Sequence, residues 1–224
     1  SGIKKRLLLA FAAVGIFSTA LLYYVTTGDW VLASVLFIFG NVGFSMSEVF
    51  YNALLPGIAD AKEIDRISVK GYALGYLGGG ILLALDKGLI QVMDDKSLAT
   101  RITFITVSVW WAAFTIPLIM NVKEPAVRTR KKIDTGILTE GFRRLSVTFH
   151  ELRKYRELFL FLAAFWIYND GIGTIIKMAA IYGAEIGISQ SALIGALLMT
   201  QFVGIPFSFA FGRLAGYIGA KNSI

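Results

Sequence analysis

Long apolar blocks alternate along the chain with short polar connections. Each of six blocks is about twenty residues long, which is the length that an α-helix needs to span ~30 Å of hydrocarbon. The third block is the shortest and is rich in Gly. The pattern therefore predicts six transmembrane helices, at residues 7–25, 30–55, 69–85, 102–120, 158–182 and 192–211.

The blocks also indicate the type of membrane fold. Only helices and closed barrels satisfy every backbone polar group in lipid. Barrel strands would alternate apolar and polar residues over about ten positions, and these blocks do not alternate. Hydrophobic residues make up 56% of the chain and charged residues 17%. The predicted fold class is an all-α polytopic membrane protein.

The 22 Lys and Arg residues are distributed unevenly among the connections. If the first end is placed inside, eighteen lie on the inner side, three on the outer side and one, Lys177, within a span. Basic residues concentrate in cytoplasmic connections, so we expect both ends of the chain to face the cytoplasm. This orientation accounts for most of the net charge of +7. No nucleic-acid motif is present, and we expect no nucleic-acid partner.

The residue types exclude several kinds of chemistry. The chain has no Cys and one His, so disulfides, thiolate nucleophiles and His-rich metal clusters are ruled out. An intramembrane enzyme would need a patterned nucleophile or a metal motif such as HExxH, and neither is present. We expect no enzymatic activity, no cofactor and no metal site. The chain starts at Ser1 and stops after a Gly- and Lys-containing segment, and we interpret it as a piece of a longer protein.

Residues 122–156 form a long basic connection between the fourth and fifth spans. We predict an amphipathic helix in its second half, lying in the cytoplasmic interface and binding anionic lipid at residues 142–156. The alternative is a regulatory or partner-docking helix. His150 has no patterned Ser, Cys or carboxylate partner and is interpreted as solvated. The apolar face of this helix consists of Phe142, Leu145, Phe149 and Leu152, at helical spacing.

Polar residues form a stripe along each of two spans. At about 100° per residue, the members of each stripe fall close together on one side of the helix. An ionisable residue near the bilayer centre costs about 2.5–3.5 kcal/mol on insertion scales, so it needs a partner or water. The stripe of the second span consists of Asn41, Ser45, Glu48 and Asn52, and that of the fifth span consists of Trp166, Asp170, Thr174 and Lys177.

Two interpretations of these stripes remain open. Glu48 or Asp170 forms an internal ion pair with Lys177 that only fixes helix packing, or the stripes line a water-filled cavity. In the cavity, Lys177 would bind an anionic group and a carboxylate would bind a cation or a proton. Asn169 and the neighbouring residues Gly171 and Gly173 weaken the fifth span locally, which suits a discontinuous helix beside a cavity.

The third span carries Gly at every fourth position, at Gly71, Gly75 and Gly79. Such a ridge lets helix backbones approach closely. Helix packing and a gating hinge are both consistent with it.

Several segments, taken together and in this order, resemble one known family: the major facilitator superfamily and, within it, the vacuole-effluxer (autophagy-related permease-like) family. The resemblance implies twelve helices in two halves joined by a long cytoplasmic connection. On this register the chain is a partial major facilitator fold that holds helices 3 to 8. The segments that carry the resemblance are Phe50–Pro56, Gly71–Gly79, Tyr168–Gly171, Gln201–Pro206 and Gly212–Ala215.

The register divides the chain into three parts. Residues 1–121 would be the last four helices of the N-terminal half-bundle, residues 122–156 the cytoplasmic connection, and residues 157–224 the first two helices of the C-terminal half-bundle. Glu48 would lie on helix 4 and Asp170 on helix 7, which both line the cavity in this superfamily. The remaining helices of the full-length protein would be its partners, in a bacterial inner membrane or a vacuole-type membrane.

The function implied by the resemblance is that of a secondary-active permease working by alternating access. The best-known role of the family is amino-acid efflux, so the expected solute is small and polar or zwitterionic. A non-transporting membrane scaffold or sensor is the alternative. The expected solute-binding residues are Glu48, Asn52, Asn169, Asp170, Thr174, Lys177 and Gln201. The expected gating or packing residues are Gly71, Gly75, Gly79 and Arg213.

Each charged residue of this set receives a role. Glu48 is the expected proton-linked or cation-binding carboxylate, and Asp170 with Lys177 is a charge pair that contacts solute or gates. Two positions depart from the superfamily motifs. Gly216 stands where the loop motif carries Asp, so the charge lock attributed to that Asp is not expected. Tyr76 replaces the Pro of the antiporter motif, so antiport is not favoured over symport or uniport.

Overall fold

The structure is a computed structural model, and it describes residues 3–58, 63–122, 137–152 and 154–219. Six helices of this part of the chain are long and apolar enough to cross a membrane, which confirms the six predicted spans and the all-α membrane fold. These are α1 (Ile3–Leu21), α2 (Trp30–Asn52), α3 (Ile64–Val92), α4 (Lys96–Asn121), α6 (Arg156–Glu185) and α7 (Gln190–Ile218). Between α4 and α6 lies α5 (Ile137–Leu152), and short 3-10 helices follow α1 at Leu22–Tyr24 and α2 at Leu55–Gly57.

α3 is longer than the sequence predicts. The apolar block ends at Leu85, because the charged residues Asp86 and Lys87 follow it, whereas the helix continues to Val92. It continues because Asp86 is buried, with 8% of its surface exposed. The carboxyl group is hydrogen-bonded to Thr106 of α4. A carboxyl group with a partner on the neighbouring helix does not end a membrane span.

The described residues fall into two compact units. The first consists of residues 1–126 with residues 194–224, and the second of residues 127–193. The first unit therefore contains α1 to α4 and most of α7, and the second contains α5 and α6.

α1 and α2 form the most extensive helix contact of the first unit. A methyl group added to Gly43 would lie 2.7 Å from Gly15 Cα and 2.8 Å from Phe11 O. Trp111 of α4 also covers Gly15, since a methyl group there would lie 2.6 Å from the indole Cζ3 atom. Small residues allow such approach in membranes, where packing and not hydrophobic burial drives helix association. Gly15 and Gly43 therefore set the distance between α1 and α2.

Two lysines at the start of α1 bind carbonyl groups at the ends of neighbouring helices. Lys4 Nζ donates to Ala53 O after α2 at 2.9 Å. Lys5 Nζ donates to Ile119 O and Val122 O at the end of α4, both at 2.6 Å. The last four carbonyl groups of a helix have no donor within the helix, and they carry the negative end of its dipole. The lysines therefore fix the ends of α2 and α4 to the start of α1.

The turn between α3 and α4 is closed in a similar way. Asp95 accepts a hydrogen bond from Leu98 N at 2.9 Å and caps the start of α4. Lys96 Nζ donates to three carbonyl groups at the end of α3. They are Ile90 O at 2.8 Å, Gln91 O at 3.0 Å and Met93 O at 2.8 Å.

Polar contacts also order the turn between α1 and α2. Thr26 donates to Asp29 Oδ2 from its hydroxyl group at 2.6 Å and from its backbone N–H at 3.0 Å. The hydroxyl group and then the N–H hold the pKa of Asp29 below its usual value. Arg101 of α4 donates to Tyr23 O, and its guanidinium lies 4.8 Å from the centre of the Tyr23 ring. The turn is thereby tied to α4.

α3 and α7 run antiparallel within the first unit and touch at glycines. A methyl group on Gly204 would lie 3.0 Å from the ring of Tyr76, and one on Gly212 would lie 3.0 Å from Val69 Cγ2. That is closer than ordinary van der Waals contact, so these glycines bring the two helices together. The contacting pairs are Gly80 with Gln201, Gly204 with Tyr76, and Gly212 with Val69.

In the second unit, α5 and α6 meet through Phe149 and Phe159, whose ring centroids lie 6.3 Å apart in a T-shaped arrangement. α6 is unbroken from Arg156 to Glu185, so the discontinuous span suggested by its Asn and Gly residues is not present. An interior Gly costs about 1 kcal/mol relative to Ala. That cost is too small to break a helix whose backbone groups must all be paired in lipid.

We predict that Gly43→Ala lowers the free energy of unfolding of the complete protein by about 1–3 kcal/mol, the usual cost of overpacking. The added methyl would overlap the backbone of Gly15, which cannot turn aside as a side chain would. Gly88→Ala is the control, because no other residue of the described chain lies within 4 Å of a methyl group there. Equal thermal unfolding midpoints for the two purified variants would contradict the close contact of α1 and α2.

Candidate functional site

A cavity of about 620 Å³ lies in the first unit, and we call it the main cavity. The end of α2 and the segment after it, the first half of α3, the end of α4, and one residue of α7 form its walls. Most of the wall is apolar. The lining residues are Glu48, Tyr51, Asn52, Leu54, Leu55, Ile58, Ile67, Ser68, Gly71, Tyr72, Gly75, Tyr76, Leu118, Val122 and Gln201.

Three of the residues expected to bind solute meet at this cavity. Glu48 and Asn52 are one helical turn apart on α2, and Gln201 approaches from α7. Glu48 is exposed and has no hydrogen-bond or ion-pair partner among the described residues of the first unit. The cavity therefore offers one carboxylate and two side-chain amides, which suit a cation or a hydrogen-bonding solute.

Two glycines of the α3 ridge make room for the cavity. Gly71 and Gly75 both line it, and a methyl group on Gly75 would meet nothing within 4 Å. A methyl group on Gly71 would lie 4.0 Å from the hydroxyl oxygen of Tyr51. The third glycine, Gly79, lies against α7, where a methyl group would be 3.6 Å from Gln201 Nε2.

A second cavity of about 320 Å³ shares Glu48, Tyr51 and Leu118 with the main cavity. Its remaining walls come from α1, α2 and α4. Glu48 thus borders both spaces. The other lining residues are Leu8, Ala12, Phe44, Ser47, Trp111, Phe114 and Thr115.

Four further expected solute-binding residues belong to α6, in the second unit. All four are exposed, and the spacing of the last three named below places them on one face of an unbroken helix. Within that unit, as far as it is described, Asp170 and Lys177 form no ion pair with each other or with a third residue. The four are Asn169, Asp170, Thr174 and Lys177. Arg213 lies near the end of α7 and is exposed, next to the contact of Gly212 with Val69.

Sequence reasoning missed one residue with functional chemistry, Asp86. It is buried in the membrane-spanning part of α3, and Thr106 Oγ1 lies 2.6 Å from its Oδ1 atom. The available signal was the apolar sequence on both sides of Asp86, which continues in helical phase as far as Val92. Elsewhere in the described ranges, no three His, Cys, Asp or Glu side chains come together as a metal site requires.

Comparison with known proteins agrees with this arrangement. The family described as "Vacuole effluxer Atg22 like" matches residues 1–65 and 59–224. The MFS-type transporter YxiO of Bacillus subtilis is 36% identical over all of this chain and 53% of its own length. Autophagy-related protein 22 of Yarrowia lipolytica is 26% identical over 88% of this chain and 46% of its own. The Saccharomyces cerevisiae protein of that name is 22% identical over 96% and 50%.

The chain thus spans about half the length of the curated relatives that it matches. No solved structure matches it significantly.

The six spans and these matches define the class of protein, which is a multi-pass membrane transporter of the major facilitator type, present here in part. The chain belongs to the Atg22-like vacuole effluxer family. Its relatives are transporters and not enzymes. The resemblance drawn from the sequence motifs is therefore confirmed.

We predict that Gly75→Leu fills part of the main cavity without disturbing helix packing, because the space beside Gly75 is open. The readout is the reaction of Asn52→Cys with a small water-soluble maleimide in the complete protein. Adding Gly75→Leu should slow labelling several-fold, since Asn52 lines the same space. Gly88→Leu, away from the cavity lining, is the matched control. An unchanged rate with Gly75→Leu would contradict the cavity.

Proposed function

We propose that this chain forms part of the solute pathway of a secondary-active transporter that moves a small polar or zwitterionic solute by alternating access. The main cavity is the observation that supports this most directly. Its volume of about 620 Å³ and its apolar walls with a few polar groups are typical of small-molecule sites. The family description as a vacuole effluxer supports the same class of function.

The expected binding residues carry charges of both signs, as recognition of a zwitterionic solute requires. Glu48 would bind an ammonium group or take part in proton linkage, and Lys177 would bind a carboxylate. Asp170 with Lys177 would contact solute or gate, as a charge pair. The side chains proposed to bind solute by hydrogen bonding are Asn52, Asn169, Thr174 and Gln201. Amino acids have this chemistry, and they are the substrate class that the family resemblance implies.

The ridge glycines and Arg213 are proposed to govern movement. Gly71 and Gly75 line the main cavity and Gly79 contacts α7, so a change in the path of α3 would alter both. This supports a gating hinge as well as packing. Arg213 is proposed to gate at the end of α7.

We predict that Glu48→Gln reduces solute uptake by the complete protein in liposomes, measured with a panel of radiolabelled amino acids under an imposed proton gradient. Loss of one charge-assisted hydrogen bond weakens binding by about 1.5–3 kcal/mol, or roughly ten- to a hundredfold. Asp94→Asn is the control, because Asp94 is an exposed carboxylate outside both cavities.

Two results would count against these assignments. Undiminished uptake by Glu48→Gln would remove Glu48 from binding and coupling. If no solute of the panel gives uptake or a thermal shift with the wild-type protein, the non-transporting scaffold or sensor is favoured.

We also propose an orientation and a place in the full-length fold. The distribution of Lys and Arg supports cytoplasmic positions for both ends. The chain would supply helices 3 to 8 of twelve, with residues 1–121 and 157–224 in different half-bundles and residues 122–156 between them. The membrane would be a bacterial inner membrane or a vacuole-type membrane.

This orientation predicts the accessibility of single cysteines in a complete protein otherwise free of Cys. Ser97→Cys, in the first turn of α4 beside the outer connection, should react with a membrane-impermeant maleimide added outside intact cells or vesicles. Thr135→Cys, in the basic connection, should react only after permeabilisation. The reverse pattern would overturn the orientation.

The amphipathic helix of the connection is proposed to bind anionic lipid. α5 covers Ile137–Leu152, and the apolar side chains of Leu145 and Phe149 on it are exposed. The side chain of Phe142, the first residue of the predicted apolar face, is not among those that the structure describes. Basic residues flank this helix, so an interface of anionic headgroups over acyl chains matches its chemistry.

A further inference from the structure

We propose that Asp86 is a proton-binding site: its carboxyl group is protonated while α3 and α4 are packed together, and it releases the proton to water when their contact opens. The role of this site in coupling rests on the proposed transport function. Its protonation does not.

Asp86 lies in the membrane-spanning part of α3, with 8% of its surface exposed. Its described contact is with Thr106 of α4. An ionised carboxylate taken out of water needs a cation or several hydrogen-bond donors. Among the described residues, Asp86 forms no ion pair.

The charged groups of the elements packed against α3 are directed elsewhere. On α4, Lys96 binds the last carbonyl groups of α3, and Arg101 binds Tyr23 O. On α7 the one charged residue is Arg213, beside the Gly212 contact at the opposite end of α3. Lys87 follows Asp86 directly but packs beside α7, with its Nζ atom 3.5 Å from the Cβ position of Gly195.

The acidic groups nearby do not face Asp86 either. Asp95 caps α4 through Leu98 N, and Asp94 is exposed in the turn. Glu48 of α2 borders the main cavity beside the first half of α3, and Tyr76, the last α3 residue of that lining, is ten residues from Asp86. No neighbouring charge therefore compensates an ionised Asp86.

The number of protons available at Thr106 indicates that Asp86 is in its neutral, protonated form. Its Oγ1 atom lies 2.6 Å from Asp86 Oδ1 and 2.8 Å from Thr103 O, and both distances are those of full O–H···O hydrogen bonds. The hydroxyl group has one proton and the Thr103 carbonyl group has none. Both bonds form together when Asp86 donates its own proton to Thr106 Oγ1 and Thr106 donates to Thr103 O.

The same geometry makes the site responsive to movement. Separation of α3 from α4 admits water, removes the hydroxyl acceptor and favours the ionised form, so one proton passes from Oδ1 to water. Closing again takes one proton up. If solute transport requires both arrangements, a proton accompanies each cycle, and Glu48 is then available to bind the solute itself.

The first test is infrared difference spectroscopy of the complete protein at neutral pH. The difference spectrum of wild type minus Asp86→Asn is expected to contain the carbonyl stretching band of a protonated carboxylic acid. The difference spectrum of wild type minus Asp94→Asn is not expected to contain it. Absence of that band from the Asp86→Asn difference would overturn the proposal. If Asp86→Asn fails to fold, Thr106→Val keeps the acid and removes its partner. The band should then shift to the higher frequency of an acid without a hydrogen bond, and an unshifted band would overturn the assignment.

The second test separates coupling from transport. In liposomes, Asp86→Asn should lose the dependence of amino-acid uptake on the proton gradient while keeping the solute-induced thermal shift, and Asp94→Asn should keep both. Gradient-driven accumulation by Asp86→Asn equal to wild type would overturn the coupling role. If the wild-type protein transports nothing, the proposed function fails, while the infrared band still decides whether Asp86 binds a proton.

Discussion

The last carbonyl groups of a helix have no donor within the helix, and at three helix ends of the first unit a lysine from another helix supplies one. Lys4 and Lys5 serve the ends of α2 and α4, and Lys96 serves the end of α3. Each of these hydrogen bonds is charge-assisted. Lys4 and Lys5 join helices that are distant in the sequence, and Lys96 joins the start of α4 to the end of α3, across the turn between them. These three lysines therefore connect the helices of the first unit.

These bonds also position the main cavity. Ala53 and Val122, whose carbonyl groups the first two lysines bind, lie at or beside the cavity wall. Near the middle of α2, the contact of Gly43 with Gly15 fixes this helix against α1. Glu48 therefore lies on a helix that is held both at its middle and, through Lys4, at its end. Sites built on helices are positioned more precisely than sites on loops.

The sequence was sufficient for the six spans, because they follow from the length and hydropathy of the apolar blocks. It placed Glu48 and Asn52 on one side of α2, and the cavity contains both. It did not indicate that Gly15 and Gly43 touch, because a contact between helices depends on which faces meet. The predicted end of α3 was wrong for the same reason. In the sequence Asp86 is a charged residue that ends the apolar block, and only the structure shows that Thr106, twenty residues later, faces it.

The glycine contacts between α3 and α7 have a mechanical consequence. In each pair one member is a glycine, so at these three points a single side chain packs against bare backbone. Ridges that interdigitate must unlock before two helices can change their crossing angle. A side chain that packs against a glycine has no opposing side chain to pass at that point. The glycine contacts therefore offer little steric resistance to a change in the crossing angle of α3 and α7.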